Sequence, residues 1–418
     1  MRINRRSLLA GLSAGVSATA LGVRSSSAWL LPQAEERVVP DYETPLFDLR
    51  RRVDAPVKIE SIELLKNGSH YFVRTRSTDG AVGVCKTKQV ADYVPILLNL
   101  VAPFFLGKDA RDLETLIDGV YIQNYKLAGQ ALWCPVAYVE QSLFDLLGKT
   151  ASKPIGELMG GVIRKEIPVY LSGSGRDTTA EEEVDVYVRG VEHTGAKAVK
   201  FKIGGRMSRN LDAYPDRTET MMALARKRLG DDIDIYTDAN GSYNAAKAIE
   251  IGHMLEDLGV GFFEEPCPWE ELSETKQVAD ALTMQVAAGE QDASLWRFQW
   301  MMENGVMDIV QPDLNYNGGF IRAARVARMA RRFEMRIVPH NTQTGATAVN
   351  ILQFASAIPN IGAYMEFPWR APRKPESWYS PHFEIHNGTV KVPTGPGLGV
   401  EIDADFLAKA ETVGPCPS

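Results

Sequence analysis

Three runs decide the fold of this chain: IDIYTD (residues 233–238), VGFFEE (260–265) and MQVAAGE (284–290). Each run is short, apolar and rich in β-branched or aromatic residues, which predicts a buried strand. Asp238, Glu264 and Glu290 stand near the carboxyl ends of these strands. Buried carboxylates on neighbouring strands repel one another unless a hard divalent cation lies between them. The pattern therefore predicts a Mg²⁺ site at the mouth of a parallel β/α structure.

Similar runs continue on both sides, separated by helical patterns. They are IPVYLSG (167–173), AVKFKIG (198–204), MDIVQPD (307–313), MRIVPH (335–340) and IGAYMEF (361–367). Strands that alternate with helices predict βαβ units and a parallel sheet. Eight βα units over about 200 residues fit a (β/α)8 barrel of the α/β class. An open doubly wound sheet is the alternative, and it is disfavoured because no Gly-rich phosphate loop follows the first strand.

The rest of the chain divides around this barrel. Asn67-Gly68 predicts a tight turn in a strand meander, and PVAYVEQSLFDLLGK (135–149) has the spacing of an amphipathic helix. We predict a signal peptide at 1–28, an extension at 29–56, an N-terminal α+β capping domain at 57–155, the barrel at 156–370, and a C-terminal segment at 371–418 that returns to the capping domain.

The first 28 residues resemble a twin-arginine export signal. Arg5-Arg6 precede a mildly apolar stretch, and Ser26-Ser27-Ala28 offers small residues for cleavage. We expect a periplasmic or exported protein that folds before export; a basic leader without a targeting role is the alternative. No other segment approaches the roughly 20 apolar residues of a membrane span. We therefore expect no stable membrane association after signal removal.

Composition excludes some functions and leaves others open. The 418 residues are 45% hydrophobic and 24% charged, which is ordinary for a globular protein. The net charge of −7 comes without a basic stripe, so nucleic acid is not expected as a partner. The four cysteines have no metal-site spacing, and the sequence cannot assign disulfides. We expect Cys85, Cys134 and Cys267 to be buried thiols and Cys416 to lie on a tail.

Two lysines end the second barrel strand. Lys200 and Lys202 are two residues apart and therefore face the same way. Their mutual repulsion and a nearby Mg²⁺ would lower a lysine pKa toward the range of a general base. A pair of solvated surface lysines is the alternative. Three carboxylates on adjacent strands favour the functional interpretation.

A second pair ends the sixth and seventh strands. Asp313 and His340 follow adjacent strands, so the carboxylate can reach the imidazole, fix its tautomer and raise its basicity. A structural histidine is the alternative. Glu366, at the end of the eighth strand, would supply a hydrogen-bonding or electrophilic group across the mouth.

The ordered motifs on successive strands resemble the enolase superfamily and, within it, the mandelate racemase subgroup. The motifs are Lys200-Phe201-Lys202, TDAN (237–240), FEEP (263–266), AGE (288–290), QPD (311–313), VPHN (338–341) and MEF (365–367). The resemblance covers nearly all of residues 57–402 and includes the tail PGLGVEID (396–403). It implies a modified barrel with a capping domain, Mg²⁺ as cofactor, a small-molecule carboxylate as substrate and assembly into a homo-oligomer.

The resemblance also implies a role for each site residue. Asp238, Glu264 and Glu290 would bind Mg²⁺, and Asn240 would be a polar substrate contact near the metal. Lys202 would be a base on one face of the substrate, with Lys200 beside it contacting the carboxylate. His340, backed by Asp313, would be acid or base on the opposite face, and Glu366 would hydrogen-bond the substrate carboxylate.

Three functions remain open from the sequence. Dehydration of an acid sugar or hydroxy acid to a 2-keto acid is favoured, because most subgroup members resemble acid-sugar dehydratases. Racemisation or epimerisation of an α-hydroxy acid would use bases on both faces. An exported non-catalytic binding protein on the same fold is disfavoured, because no metal ligand or base is missing.

The chain departs from the family pattern at two places. The first hairpin, LLKNGSHYF (64–72), leaves no room for the long loop that often closes over the substrate in this family. We expect the extension 29–56, a second cap loop near Lys86–Tyr93 or another subunit to cover the site. Asn240 stands where some subgroup members carry a histidine that expels a leaving group.

Overall fold

The computed structural model describes residues 45–88, 90–173, 175–372 and 374–414. The predicted signal peptide, residues 29–44 of the predicted extension, and Cys416 lie outside the described residues. Cys85, Cys134 and Cys267 are buried free thiols, as expected. Among the described residues, no helix combines the length and apolar character needed to cross a membrane.

The capping region contains an antiparallel sheet. Its strands are β1 (Ile59–Asn67), β2 (His70–Ser77) and β3 (Val82–Lys86). Asn67 pairs with His70, so the Asn67-Gly68 signal does mark a tight hairpin, with Gly68 at φ +59°. Glycine tolerates this left-handed conformation because it has no Cβ.

One helix before this sheet in the chain and several after it complete the capping region. They are the short helices Leu49–Arg52, Val94–Ile96, Ala102–Phe105 and Ile155–Leu158, the π-helical turn Leu97–Val101, and the long helices α1 (Leu113–Asn124) and α2 (Gln130–Ala151). Helix α2 is buried around its whole circumference from Leu132 to Gly148. The helix is buried on all sides because β2 and β3 pack on one side and the barrel helix Phe320–Arg332 packs on another.

The described part of the extension packs on the capping helices. Main-chain N–H groups of Leu46 and Phe47 donate to the Glu114 carboxylate at 2.6 and 2.9 Å, and Arg50 pairs with Asp112 at 2.6 Å. The side chains of Phe47 and Leu49 are buried. Residues 45–56 are thus fixed to the start of α1.

Eight parallel strands alternate with helices and form the barrel. In chain order they are β4 (Glu166–Ser172), α3 (Ala180–Thr194), β5 (Ala198–Lys202), α4 (Arg217–Leu229), β6 (Asp234–Asp238), α5 (Ala245–Asp257), β7 (Phe262–Glu264), α6 (Leu272–Ala281), β8 (Gln285–Ala288), α7 (Leu295–Glu303), β9 (Ile309–Val310), α8 (Phe320–Arg332), β10 (Arg336–Ile337), α9 (Val349–Ala357) and β11 (Met365–Pro368).

The sheet order confirms the predicted fold class. Neighbours run β10-β9-β8-β7-β6-β5-β4-β11, all paired in parallel. The ring closes where Ile337 exchanges main-chain hydrogen bonds with Asn360 and Gly362 at 3.0 Å each. The eighth unit differs from the prediction, because in the described residues β11 is followed by extended chain instead of a barrel helix.

The C-terminal part runs back across both regions. Its elements are β12 (Tyr379–Ser380), β13 (Thr389–Lys391), β14 (Glu401–Ile402), the short helix Ala404–Ala408 and β15 (Glu411–Thr412). Strand β13 pairs with β4 of the barrel, and β15 pairs with β1 of the capping sheet. The C-terminal segment therefore pairs with the barrel through β13 and with the capping sheet through β15.

Candidate active site

The strand register brings three carboxylates together at the carboxyl ends of β6, β7 and β8. Asp238 lies directly opposite Glu264 across the β6–β7 pair, and Glu290 follows β8 after one glycine turn. One oxygen of each carboxylate lies within 4.8 Å of the others, and all three side chains are buried. The structure therefore gathers the predicted metal-ligand set at one point.

This carboxylate cluster fits a divalent cation. Glu264 Oε1 is buried and has no hydrogen-bond partner among the described residues, and the only contact of Glu290 Oε2 among them is with His340 Nε2 at 3.3 Å. Unsatisfied buried carboxylate oxygens are costly, and oxygen ligands of this kind are what Mg²⁺ prefers. Asp238, Glu264 and Glu290 would hold the ion.

Lys200 is held between two carboxylates. Its ammonium lies 2.6 Å from Glu264 Oε2 and 2.9 Å from Glu366 Oε1, it is fully buried, and it does not line the active-site cavity. Burial opposes its charge, but Glu264 and Glu366 outweigh burial, and the pKa of Lys200 lies well above its ordinary value. Glu264 and Glu366 thus act against the lowering expected from Lys202 and Mg²⁺, and that expectation stays a prediction because it depends on the bound ion.

Lys202 faces the cavity from the Asp238 side. Its ammonium contacts Asp238 Oδ2, and its side chain lines the cavity. Asn240 fixes the same carboxylate: its main-chain N–H donates to Asp238 Oδ1 at 2.7 Å and its amide donates to Oδ2 at 3.1 Å. Asn240 also lines the cavity, next to Lys202. Burial raises the pKa of Asp238, but Lys202 and Lys200 outweigh burial and hold it below its ordinary value.

His340 faces the cavity from the opposite side. Its Nδ1 lies 2.9 Å from Asp313 Oδ2, and its Nε2 lies 3.3 Å from Glu290 Oε2. Burial lowers the pKa of His340, but Glu290 and Asp313 outweigh burial and bring it to about 9. At neutral pH this imidazole carries a proton that it can donate.

Glu366 lies between the lysine and the histidine. It accepts a hydrogen bond from the Asn341 main-chain N–H at 2.8 Å, pairs with Lys200 and lines the cavity. Burial raises the pKa of Glu366, but Lys200 and then His340 outweigh burial and hold it below its ordinary value. Glu366 is therefore ionised at neutral pH, in the position that the sequence predicted for it.

Two residues beside the candidate site were not predicted from the sequence, Lys88 and Tyr316. Lys88, on the segment after β3, lies 3.6 Å from Asp313 Oδ2 and donates to the Tyr316 hydroxyl at 3.0 Å. Tyr316 lines the cavity, and its ring lies over His340 with centroids 6.3 Å apart. The predicted cap loop near Lys86–Tyr93 includes this segment. Nothing in the sequence, however, distinguishes Lys88 from its neighbours. Burial raises the pKa of Asp313, but Lys88 and His340 outweigh burial and lower it to about 2.

The cavity above these groups has a volume of about 540 Å³. Trp269, Trp369, Arg206 and Arg370 add to its walls, and no residue of 45–56 lines it. The described part of the extension is therefore not a lid over this cavity. A cavity of this size and polarity fits a small polar molecule.

A barrel whose strand ends carry a carboxylate triad between a lysine and a carboxylate-backed histidine belongs to a class of enzymes that move a proton next to a substrate carboxylate. Residues 183–406 match the family model described as enolase C-terminal domain-like. The chain belongs to this family, and thereby to the enolase superfamily.

Known relatives cover most of the chain. A curated arabinonate dehydratase from Saccharolobus solfataricus is 29% identical over 78% of this chain and 86% of its own length. A solved structure of a candidate racemase from Roseobacter denitrificans has a TM-score of 0.81 and 38% identity, covering 85% of this chain and 99% of that chain. A mandelate racemase/muconate lactonizing protein from Paracoccus denitrificans, solved with magnesium, has a TM-score of 0.76 and 28% identity over 85% and 99% of the two chains.

Proposed function

We propose that this chain uses Mg²⁺ to remove the proton α to a substrate carboxylate and dehydrates an acid sugar or hydroxy acid to a 2-keto acid. The observation that carries the proposal is the placement of Lys202 and His340. Lys202 contacts Asp238 at one end of the carboxylate triad, and His340 contacts Glu290 at the other end. A substrate carboxylate at the triad would thus lie between two groups that exchange protons.

The cation would supply positive charge where negative charge develops on the substrate carboxylate as the α-proton leaves. Lys202, once deprotonated, would take the α-proton on its face. Lys200 stays protonated between Glu264 and Glu366, so its role is electrostatic support and not proton removal. Glu366 would fix the far side of the substrate carboxylate from its ionised position in the cavity.

His340 favours dehydration over simple proton exchange. Asp313 Oδ2 holds His340 Nδ1 at 2.9 Å, so the imidazole can carry a second proton on Nε2 and give it to a departing β-hydroxyl group. The C–H bond gives its proton to Lys202, the C–O bond breaks, and the hydroxyl leaves as water. The enol that remains tautomerises to the 2-keto acid. The arabinonate dehydratase relative is a dehydratase of a sugar acid, which supports this choice.

The test is a panel of acid sugars and hydroxy acids, incubated with Mg²⁺ in D₂O. We expect 2-keto acid from at least one compound, with Mg²⁺ required. Deuterium at the α-carbon without any keto acid would instead support racemisation or epimerisation, the activity class of the Roseobacter denitrificans neighbour. If no compound gave either 2-keto acid or deuterium at the α-carbon, both reactions would be contradicted and the binding-protein alternative would be favoured.

We also propose export by the twin-arginine pathway and assembly into a homo-oligomer. Export is supported only by residues 1–28 of the sequence, including Arg5-Arg6. Replacing both arginines with lysine should retain the protein in the cytoplasm, as measured by cell fractionation. Light scattering of the mature protein tests the oligomer directly, and a monomer would contradict that part.

A further inference from the structure

A second cavity lies beside the active site, between the capping helices and the barrel. Its volume is about 620 Å³. Helices α1, α2, α7 and α8 contribute to its walls, together with the loops after β7 and β8. Four aromatic side chains line it: Tyr121, Trp133, Trp269 and Trp296. This cavity shares Trp269 and Gln291 with the active-site cavity, and its other lining residues do not line the active-site cavity.

The cavity carries an excess of positive charge. Three guanidinium groups and two carboxylates line it: Arg297, Arg322, Arg325, Asp118 and Asp292. Asp118 pairs with Arg325 through two contacts of 2.5 and 2.9 Å, and Asp292 pairs with Arg297 at 2.7 Å. These pairs leave the charge of Arg322 without a carboxylate partner among the described residues.

Arg322 is held by neutral groups. It donates to the main-chain carbonyls of Asn317 and Ala293 at 2.6 and 2.5 Å, and its guanidinium lies 3.6 Å from the centroid of the Trp133 ring. Burial, and then the neighbouring Arg325, lower the pKa of Arg322 to about 9. A buried cation without an ion-pair contact is costly, and an anion in the cavity would relieve that cost.

Arg325 adds a hydrogen-bond donor without an acceptor to the same cavity. Its residue is 5% exposed, it lines the cavity, and its Nε has no hydrogen-bond partner among the described residues. Buried guanidinium N–H groups normally find an acceptor, and carboxylate oxygens match their geometry best. The aromatic walls favour a flat molecular face against them.

We propose that this cavity is a second ligand site that binds a small carboxylate carrying a flat apolar or sugar-like face. The guanidinium groups of Arg322 and Arg325 would take the carboxylate, and Trp296 would cover the body of the ligand. This site goes beyond the proposed catalytic function, because none of the residues assigned to proton transfer lines it.

The site has a direct connection to the catalytic centre. Gln130, which lines the second cavity, donates to Gln291 Oε1 at 2.8 Å, and Gln291 donates to Glu290 Oε1 at 3.0 Å. A ligand that displaces Gln130 or Gln291 would therefore shift a hydrogen bond to a member of the carboxylate triad. Occupancy of the second site is expected to change the kinetics of the first.

The test is calorimetric titration of the full mature chain with 2-naphthoate, with 2-naphthylmethanol as the uncharged comparison. We expect saturable binding of 2-naphthoate and at least about 10-fold weaker binding of the alcohol, because a charge-assisted hydrogen bond is lost. Trp296→Ala should weaken binding by a similar factor. Trp300→Ala is the matched control: Trp300 is also exposed on α7 but does not line the cavity, so binding should not change.

Arg325→Gln tests the charge, and Lys202→Met separates the two cavities. Arg325→Gln should weaken binding, whereas Lys202→Met should leave it intact. A parallel titration with D-galactonate distinguishes sugar acids from aromatic acids as the ligand class, and binding of either that depends on Trp296 supports the proposal. It is overturned if neither compound binds, if Trp296→Ala leaves binding unchanged, or if Lys202→Met abolishes it. Trp296 is 59% exposed, so its variant keeps the test valid even if Arg325→Gln does not fold.

Discussion

In the proposed reaction, two single side chains decide which face of the substrate loses its proton. Lys202 and His340 approach the carboxylate triad from β5 and β10, strands that lie far apart in the sheet order. The residue types were predictable because each ends an apolar run at the same edge of a parallel sheet. Lys202 and His340 lie on opposite sides of the triad because the sheet closes into a barrel. The sequence indicates this closure only through the number of βα units.

Lys202→Met should abolish proton removal, because no other neutralisable amine lines the cavity among the described residues. We expect α-proton exchange into D₂O to fall by at least about 100-fold, the lower range for loss of a general base. His340→Asn should abolish 2-keto acid formation while leaving measurable exchange, as followed by NMR. If His340→Asn removed exchange and Lys202→Met did not, the two roles would be reversed.

Lys88 connects the capping region to the catalytic pair. It contacts both Asp313 and the Tyr316 hydroxyl, so its loss leaves a buried carboxylate with one fewer partner. We expect Lys88→Met to lower kcat/KM about 10- to 100-fold, consistent with one charge-assisted interaction. Lys88→Arg, which keeps the charge, should recover most of the activity. Equal activity of Lys88→Met and the unmodified enzyme would contradict a positioning role for this lysine.

Lys88 also shows what sequence reasoning could not reach. Carboxylates at strand ends are visible because sheet periodicity fixes where strand ends meet. Lys88 lies in a loop of another region, and its approach to Asp313 depends on how the capping sheet packs on the barrel through α2. Loop conformation and packing between regions have no local sequence signal.

At the level of elements, one carboxylate joins helix α2 to helix α8. Glu140 is fully buried and accepts hydrogen bonds from the main-chain N–H groups of Phe320 and Ile321 at 2.6 and 2.8 Å. These N–H groups begin α8 and have no partner within the helix. Burial raises the pKa of Glu140 to about 8, more than these hydrogen bonds lower it.

The raised pKa of Glu140 predicts a pH-dependent stability. Between its ordinary pKa of 4.5 and about 8, the folded protein keeps a proton that the unfolded chain releases. The free energy of unfolding should therefore fall as pH rises through this window, by at most about 1.4 kcal/mol per pH unit from this group. Below pH 4.5 the contribution is fully present.

Glu140→Gln removes this titration. Urea unfolding at several pH values should show the unmodified protein losing stability relative to Glu140→Gln between pH 5 and pH 8. Glu157→Gln, at an exposed position on the short helix Ile155–Leu158, is the matched control and should give a constant difference. A constant difference for Glu140→Gln as well would show that Glu140 stays ionised through this range.

The predicted strands agree closely with the structure, because the sequence patterns that indicate a strand are local. All eight apolar runs contain a barrel strand, and sequential pairing of βαβ units fixes the sheet order. No helix follows β11 in the described residues, and the sequence carries a signal for this, because Pro372 and Pro375 disfavour a helix there. Here β13 pairs with β4 instead, and a long-range pairing of three residues has no recognisable pattern.

For the whole molecule, the proposed function depends on three carboxylates sharing one cation. Their convergence forms the candidate site, where a bound Mg²⁺ would add to the contacts that these carboxylates make with Lys200, Lys202 and His340. Binding of an ion to the folded state alone should raise the melting temperature with increasing Mg²⁺ concentration. The bound ion would stabilise the entire barrel, because residues at the ends of β6, β7 and β8 would each provide a ligand.

Isothermal titration of the metal-stripped protein with Mg²⁺ tests the central claim most directly. We predict one ion per chain for the unmodified protein and loss of that binding in Glu264→Gln, whose side chain lies between the other two ligands. An exposed carboxylate variant, Glu157→Gln, should bind as the unmodified protein does. No uptake of Mg²⁺ by the unmodified protein, or uptake that Glu264→Gln leaves unchanged, would contradict the account.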